Sequence, residues 1–155
     1  MTPAQRSFPP IEELLPHRGI MLWLQSVTAA DDTGIEAHAT VPAEAWCLDA
    51  DGAMPAWMGI ELMAQAIAAH AGLRGRLLGK PTRPGVLLGT RSYRADSPSF
   101  PAGARLLVSA RIASADESGF GAYECSIRGP AGPLASATLK IFAPEDFAAF
   151  LQSAQ

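Results

Sequence analysis

One acidic residue, Glu61, lies within an otherwise apolar stretch that covers residues 52–73 and reads GAMPAWMGIELMAQAIAAHAGL. Moving a carboxylate out of water without a partner costs free energy, so an acid here is expected either to have a structural partner or to line a site that needs an acid. Gln65 follows four residues later and shares a helix face with Glu61. It is expected either to bind substrate in the same site or to be a buried amide bonded to the backbone.

Two of the three histidines are expected to have structural or solvated positions. At roughly 100° per residue, His70 lies about 180° around the helix from Glu61, so the two are not expected to be partners within one subunit. We predict that His70 is a hydrogen-bonded or partly exposed structural histidine. His38 alternates with Glu36 and Thr40 along a predicted strand, on the face that reads as solvated.

The elements that must position these residues are one long helix and many strands. The helix is apolar around nearly its whole circumference, with Pro55 suited to its first turn and Gly72 to a position near its end. No comparable second helix is present, so the economical fold is α+β, an antiparallel sheet wrapped around one helix. We predict a single domain (1–155) with a short N-terminal extension (1–10), strands at 20–29, 34–41, 85–95, 104–113, 121–128 and 133–142, and a C-terminal helix over about 144–153.

Composition excludes several classes of function. The net charge of −3 argues against a general affinity for nucleic acid. The N-terminus lacks the apolar segment of a signal peptide, and polar residues interrupt the most apolar helix, so we expect no membrane association. The two cysteines, Cys47 and Cys125, have no CxxC spacing, so we expect reduced thiols in the cytoplasm and no metal site.

Two segments resemble the hot-dog 3-hydroxyacyl-[acyl carrier protein] dehydratases. MPAWMGIELMAQA (54–66) is similar to their central-helix motif, in which a catalytic acid follows a proline by six residues and an Ala-Gln or similar pair comes next. In this chain those positions are Pro55, Glu61 and Ala64-Gln65. ELLPHRGIMLWLQSV (13–27) resembles the N-terminal segment of the same family, and the resemblance covers most of residues 11–142.

Within that family the chain is most similar to the small dehydratase-like proteins of bacterial aryl-polyene and related pathways, on LDADGAMPAWMGIELMAQ and LLGTR. The resemblance implies a hot-dog fold and the dehydration of 3-hydroxyacyl thioesters, carried on acyl carrier protein, to trans-2-enoyl thioesters in fatty-acid-like or polyene biosynthesis. It implies no cofactor beyond the phosphopantetheine arm of the carrier. It also implies a dimer, either a homodimer or a hetero-oligomer with another hot-dog protein.

The chain departs from the family pattern where a catalytic histidine is usual. Cys47 stands at that position, and Pro55-Ala56 replaces the usual Pro-Gly pair. A free thiol has a pKa of about 8.5, and the nearby acids Asp49 and Asp51 would oppose a thiolate. We therefore predict that Cys47 is a small buried residue without a catalytic role.

Dehydration of such a thioester requires three groups. One takes the proton α to the carbonyl, one protonates the departing β-hydroxyl, and a donor stabilises charge on the thioester oxygen. We expect Glu61 to be a buried general acid and the N–H groups of Ala56 and Trp57, at the helix start, to be the donors. His17, in a rigid turn after Pro16, is the best candidate base, with a structural role as the alternative.

Basic residues follow the long helix closely, with no acid between Glu61 and Asp96. A local basic patch suits a strongly acidic partner or a phosphate group, and an acyl carrier protein offers both through its acidic helix and its phosphopantetheine arm. A solvated surface is the alternative. The predicted carrier-binding residues are Arg74, Arg76, Lys80, Arg83, Arg91 and Arg94.

Three functions remain open at this point. The first is a dehydratase, acting alone or as a homodimer. The second is a hot-dog thioesterase in which Glu61 and Gln65 activate water. The third is a non-catalytic or weakly catalytic subunit that binds acyl carrier protein or a second hot-dog protein, a possibility that the missing histidine strengthens.

Overall fold

The computed structural model describes residues 7–81 and 83–154. Residues 1–6 of the predicted N-terminal extension lie outside the described residues. A helical turn α1 (Ile11–Leu14) and a 3-10 turn (Gly19–Met21) precede the first strand. The strands are β1 (Leu24–Ala30), β2 (Gly34–Thr40), β3 (Met54–Pro55), β4 (Val86–Ala95), β5 (Ser99–Phe100), β6 (Arg105–Ala115), β7 (Phe120–Gly129) and β8 (Gly132–Phe142), and the remaining helices are α2 (Met58–Leu77) and α3 (Phe147–Ser153).

Six strands form one antiparallel sheet in the order β1-β2-β6-β7-β8-β4, and the two short strands β3 and β5 pair separately. Residues alternate between the two faces, so Leu106, Val108 and Ala110 of β6 are buried while their neighbours are not. The buried face packs around α2. This arrangement confirms the predicted hot-dog fold and each of its six predicted strands.

Helix α2 is buried on all sides but one. Leu62, Met63 and Ala66 have no exposed surface, and each of the two larger side chains contributes about 1.5–3 kcal/mol by burial. The remaining side is a row of half-buried residues spaced three or four apart, which we call the open helix stripe: Ile60, Glu61, Ala64, Ala68 and Ala71.

Two predicted boundaries were wrong for local reasons. Strand β1 begins at Leu24 rather than at residue 20, because Gly19 adopts a positive φ of 58° and opens a 3-10 turn. Helix α2 does not start at Pro55, since that residue pairs with β5 as part of strand β3, and it continues beyond Gly72 to Leu77.

Gly72 is required by packing and does not end the helix. A Cβ at this position would lie 2.6 Å from the carbonyl oxygen of Leu14, at the end of α1. The glycine therefore lets the N-terminal segment lie directly against α2. This contact matters for the site described below, because the same segment continues into His17.

His70 is fully buried and has the structural role that was predicted. Its Nε2 atom lies 2.8 Å from the carbonyl oxygen of Asp31, and its ring packs edge-on against Tyr123. Burial disfavours the imidazolium form and lowers the pKa of His70 below its ordinary value. The histidine is therefore a neutral hydrogen-bonding group of the core.

A bulge in strand β4 decides which way its side chains point. The register shifts between Arg91 and Arg94, and Ser92 within the bulge has a φ of +55°. Arg91 and Arg94 pair with outward-facing Thr138 and Ser136 of β8, so both arginines lie on the outer face, the sheet face turned away from α2. Tyr93 points inward, and its hydroxyl donates a hydrogen bond to the carbonyl of Ala56 before α2.

Substituting Gly72→Ala should destabilise the protein by about 1–3 kcal/mol, because the clash with a backbone carbonyl outweighs the roughly 1 kcal/mol gain in helix propensity. Urea unfolding measures the change. Gly89→Ala is the matched control, since a Cβ there meets nothing within 4 Å. An equal effect of the two substitutions would contradict the packing role of Gly72.

His70→Gln should reduce the loss of stability in acid. Because the folded-state pKa is lowered, the unfolded state takes up a proton below about pH 6.5 while the folded state stays neutral. Stability therefore falls as the pH drops from about 6.5 toward the folded-state pKa. Unfolding midpoints across this range should fall less steeply for the variant, and parallel curves would contradict the assignment.

Candidate active site

The structure brings Glu61 and His17 together. The Nε2 atom of His17 lies 3.7 Å from Oε1 of Glu61, which is ion-pair distance if the imidazole is protonated. The two side chains are 29% and 37% exposed for His17 and Glu61, respectively. The expected burial of Glu61 was therefore wrong for the single chain, because Glu61 belongs to the open helix stripe that the sheet does not cover.

Gln65 fixes the carboxylate of Glu61 in place. Its amide Nε2 donates to Oε1 of Glu61 at 3.0 Å and to the carbonyl of Met21 at 2.7 Å. Its Oε1 accepts from the N–H groups of Trp23 at 3.0 Å and Leu24 at 3.4 Å. Both donors and both acceptor positions of the fully buried amide are used, so none is left for the substrate contact that was predicted. Gln65 is a positioning residue that also bonds the backbone.

The segment that carries His17 is held by Arg18. The guanidinium of Arg18 donates to the carbonyls of Leu15 at 2.6 Å, His17 at 2.7 Å and Glu12 at 2.7 Å. These bonds satisfy carbonyls at the end of α1 that lack helical partners. His17 is thereby set in a fixed turn, while its Nδ1 atom is buried and has no hydrogen-bond partner within 7–81 and 83–154.

Ala56 is not free to stabilise a thioester oxygen, and this prediction was wrong. Its N–H donates to the carbonyl of Pro98 at 2.9 Å, which continues the pairing of β3 with β5 beyond Pro55. Trp57 precedes the first residue of α2, and its indole is 55% exposed. Neither Ala56 nor Trp57 lines the cavity beside Glu61.

An elongated cavity of about 740 Å³ begins at Glu61 and His17. Its floor is the side of α2 from Glu61 to Arg74, which includes Ala64, Ala68 and Ala71 of the open helix stripe and along which the helix rises about 20 Å. The volume is in the range of small-molecule sites. The opposite wall is mainly apolar and comes from the sheet, from Leu87, Ile112, Tyr123 and Ile141.

The predicted carrier-binding residues do not form one patch. Arg74 and Arg83 line the cavity, and Arg76 pairs with Glu13 at 2.7 Å. Lys80 is exposed after α2. Arg91 and Arg94 lie on the outer face of the sheet because the β4 bulge turns both of them outward.

Cys47 is buried, and burial raises the pKa of its thiol, so it lacks the properties of a nucleophile. Burial likewise raises the pKa of Cys125 to about 12. Within the described ranges no cluster of three or more His, Cys, Asp or Glu side chains could hold a metal ion. No helix of the described residues is long and apolar enough to cross a membrane.

Arg18 and Tyr93 contribute to the site but were missed from the sequence. Arg18 acts through backbone carbonyls of a short turn, which leave no periodic signal. Tyr93 reaches the start of α2 only because the β4 bulge reverses the alternation of the strand. The bulge could not be predicted from the sequence, because Ser92 adopts a positive φ and serine has no strong preference for that conformation.

Comparison with known proteins agrees with this geometry. A sequence profile of the ApeP-like family, described as ApeP dehydratase, matches residues 9–152. No curated protein sequence matches the chain. A chain of the dehydratase heterocomplex ApeI:P from Xenorhabdus doucetiae is 28% identical, with a TM-score of 0.88 and coverage of 96% of this chain and 99% of that one.

More distant structures share the fold alone. A hypothetical thioesterase with coenzyme A from Streptococcus pneumoniae TIGR4 is 14% identical, with a TM-score of 0.61 and coverage of 76% of this chain and 84% of that one. The PaaI protein of the phenylacetic acid degradation operon of E. coli is 16% identical, with a TM-score of 0.60 and coverage of 75% and 80%.

Gln65→Met should cost at least about 2 kcal/mol of stability, because it leaves buried N–H groups of β1 and a carbonyl without partners while keeping the side-chain volume. Urea unfolding measures the cost. Gln25→Met is the control, since Gln25 is exposed and makes one side-chain bond to Thr40; we expect less than about 0.5 kcal/mol there. Equal costs for the two would contradict the role assigned to Gln65.

Proposed function

The chain belongs to the ApeP-like dehydratase family, and we propose that it supplies Glu61 as the acid of a two-chain dehydratase for 3-hydroxyacyl thioesters. The observation that carries this proposal is the Glu61–His17 pair, held by Gln65 at one end of a largely apolar cavity. Such a cavity suits an acyl chain, and the polar pair at one end of it can reach the α-carbon and the β-hydroxyl of a bound thioester.

The two side chains have complementary tasks in the proposed reaction. Nε2 of neutral His17 takes the α-proton, and the electron pair of that C–H bond forms the α,β double bond. Glu61, in its protonated form, gives its proton to the β-hydroxyl, which leaves as water. The products are the trans-2-enoyl thioester and water. A proton passing from His17 back to Glu61 over the 3.7 Å separation restores both groups.

Four features support a second chain at this site. Glu61 is more than a third exposed, Nδ1 of His17 has no acceptor in the described part of the chain, and the N–H of Ala56 is occupied. Cys47 also replaces the histidine that is usual in the family. A partner chain is therefore expected to complete the site with the missing oxyanion donors and an acceptor for Nδ1 of His17.

The surface around Glu61 suits such a partner. The open helix stripe has small apolar side chains, Ala64, Ala68 and Ala71, which line the cavity and leave room for an acyl chain beneath a partner. Exposed apolar side chains also occur in the 3-10 turn, just before α2 and in the first half of β4: Ile20, Met21, Trp57, Leu87 and Leu88. Exposed apolar surface of this kind marks protein interfaces. The similar chain from Xenorhabdus doucetiae is itself part of a dehydratase heterocomplex, so we propose a second hot-dog protein as the partner.

The proposed substrate is delivered on acyl carrier protein in the cytoplasm, with the phosphopantetheine arm as part of the substrate and no resident cofactor. The thioesterase alternative rests only on distant structures that share the fold. It predicts release of the acyl group rather than loss of water, and intact mass distinguishes the two outcomes.

Glu61→Gln should lower the rate of dehydration by at least about 100-fold, because the amide cannot act as the general acid although it keeps the size and shape of the glutamate side chain. The assay follows the intact mass of carrier protein loaded with a 3-hydroxyacyl chain, with the purified chain alone and with a second hot-dog protein from the same genome. Glu117→Gln, an exposed loop acid outside the cavity, is the matched control.

Loss of water only in the presence of the second chain, and only with Glu61 intact, is the expected result. His17→Asn in the same assay then tests whether the base comes from this chain. Release of the acyl group instead of water would show that the protein hydrolyses the thioester and is not a dehydratase. An unchanged rate for Glu61→Gln in the active complex would overturn the role of this chain in the chemistry.

A further inference from the structure

The outer face of the sheet is strongly basic although the chain as a whole is acidic. The strand residues that point away from α2 include two acids, Glu36 and Glu124. The same face carries six exposed cations, Arg91, Arg94, Arg105, Arg111, Arg128 and Lys140. The chain has 12 Lys and Arg against 15 Asp and Glu, so six cations and thirteen acids remain elsewhere. Charge is therefore segregated between the two sides of the molecule.

A groove of about 610 Å³ crosses this face. Arg94 on β4 and Arg111 on β6 lie among its lining residues, together with Glu124. The other polar side chains of the groove are hydroxyls, from Ser92, Ser109, Ser126, Ser136 and Thr138. No large apolar side chain lines it, so the groove suits a hydrophilic partner rather than a permanent apolar interface.

The arginines of the groove are available to a partner. Among residues 7–81 and 83–154, the ion pairs within 4.0 Å are His17–Glu61 and Arg76–Glu13, and neither involves the outer face. Arg111 donates to the hydroxyl of Thr33 at 2.7 Å, which fixes the side chain without neutralising it. No carboxylate lies within 4.0 Å of a cation of this face in the described residues, although Glu124 is opposite Arg111 across the strands and Arg111 also interacts electrostatically with Asp31.

The β4 bulge creates this arrangement. In a regular strand, residues three apart point to opposite faces, so one of Arg91 and Arg94 would face the interior. The extra residue at the bulge turns both outward and extends the basic face to the edge of the sheet. From the same strand Tyr93 reaches Ala56, five residues before Glu61, so the rim of the basic face lies close to the helix that carries the acid.

We propose that the outer face, centred on the groove between Arg94 and Arg111, is the docking surface for the acidic acyl carrier protein; this rests on the proposed function. A carrier must bind and leave in every turnover, and a charged, hydroxyl-lined groove gives a fast and salt-sensitive contact of that kind. Of the six carrier-binding residues predicted from the sequence, Arg91 and Arg94 lie on this face.

The test measures binding of phosphopantetheinylated, unacylated acyl carrier protein to the full chain by calorimetry at two salt concentrations. Arg94→Glu with Arg111→Glu should weaken binding about tenfold or more, because each change turns an attraction into a repulsion. Arg76→Glu with Lys80→Glu is the matched control, which carries the same change of charge at the end of α2. Unfolding midpoints of both variants establish that the fold is kept.

Weakened binding of the outer-face variant alone, and weaker binding of the wild type at high salt, supports the proposal. Equal weakening by both variants, or weakening by the control alone, overturns it and places the carrier at the end of α2. Duplex DNA and vesicles of anionic lipid serve as comparison probes, and equally tight binding of either one to the same face would overturn the assignment to a carrier.

The outcome is separable from that of the proposed function, because binding is measured without turnover. A 3-hydroxyacyl pantetheine thioester, which lacks the carrier protein, tests the chemistry in the complex. Dehydration of this small thioester without binding of the carrier to the outer face would contradict the proposed docking surface and support the proposed dehydratase activity. Carrier binding through the outer face without dehydration of the small thioester would support the docking surface and contradict the proposed dehydratase activity.

Discussion

The buried carboxamide of Gln65 is the interaction on which the candidate site depends. It joins two segments that are distant in sequence, because it bonds Met21, Trp23 and Leu24 around the start of β1 and also the carboxylate of Glu61 on α2. With all of its hydrogen-bonding groups used and no exposure to water, the amide has one orientation. Glu61 is therefore oriented by the same bonds that attach the sheet to the helix, so the geometry of the acid is inseparable from the fold.

The N-terminal segment is fixed by contacts of a different kind. Gly72 allows α1 to lie against the helix, and Arg18 satisfies the carbonyls that would otherwise be left at the end of that short turn. These contacts fix the position of His17, which lies directly before Arg18 in the chain. The site thus combines an acid on a rigid helix with a histidine on a turn held by backbone bonds, and each half has its own support.

The fold could be predicted from the sequence because the periodicity of 2 in the strands and the apolar circumference of α2 both depend on burial, which dominates the free energy of folding. Glu61 was found by the same reasoning, as an acid in an apolar stretch. The errors arose where single hydrogen bonds decide the outcome. Ala56 was expected to have a free N–H, but β3 extends its pairing to Pro98, and Arg91 was grouped with Arg74 because a bulge cannot be seen in the pattern of β4.

Strand β4 is the edge of the six-stranded sheet, and its other side has no neighbour among the described residues. Its register with β8 shifts twice, between Leu87 and Gly89 and between Arg91 and Arg94, and its first half carries Leu87 and Leu88, both exposed. An uncovered, apolar edge is a template for unwanted strand pairing, and bulges are one of the means by which proteins prevent it. Each half of β4 has such an irregularity, but the first half still exposes Leu87 and Leu88, which belong to the proposed partner surface. In the proposed two-chain arrangement, synthesis of this chain in excess of its partner would leave these apolar side chains uncovered, so balanced production of the two chains would favour solubility as well as activity.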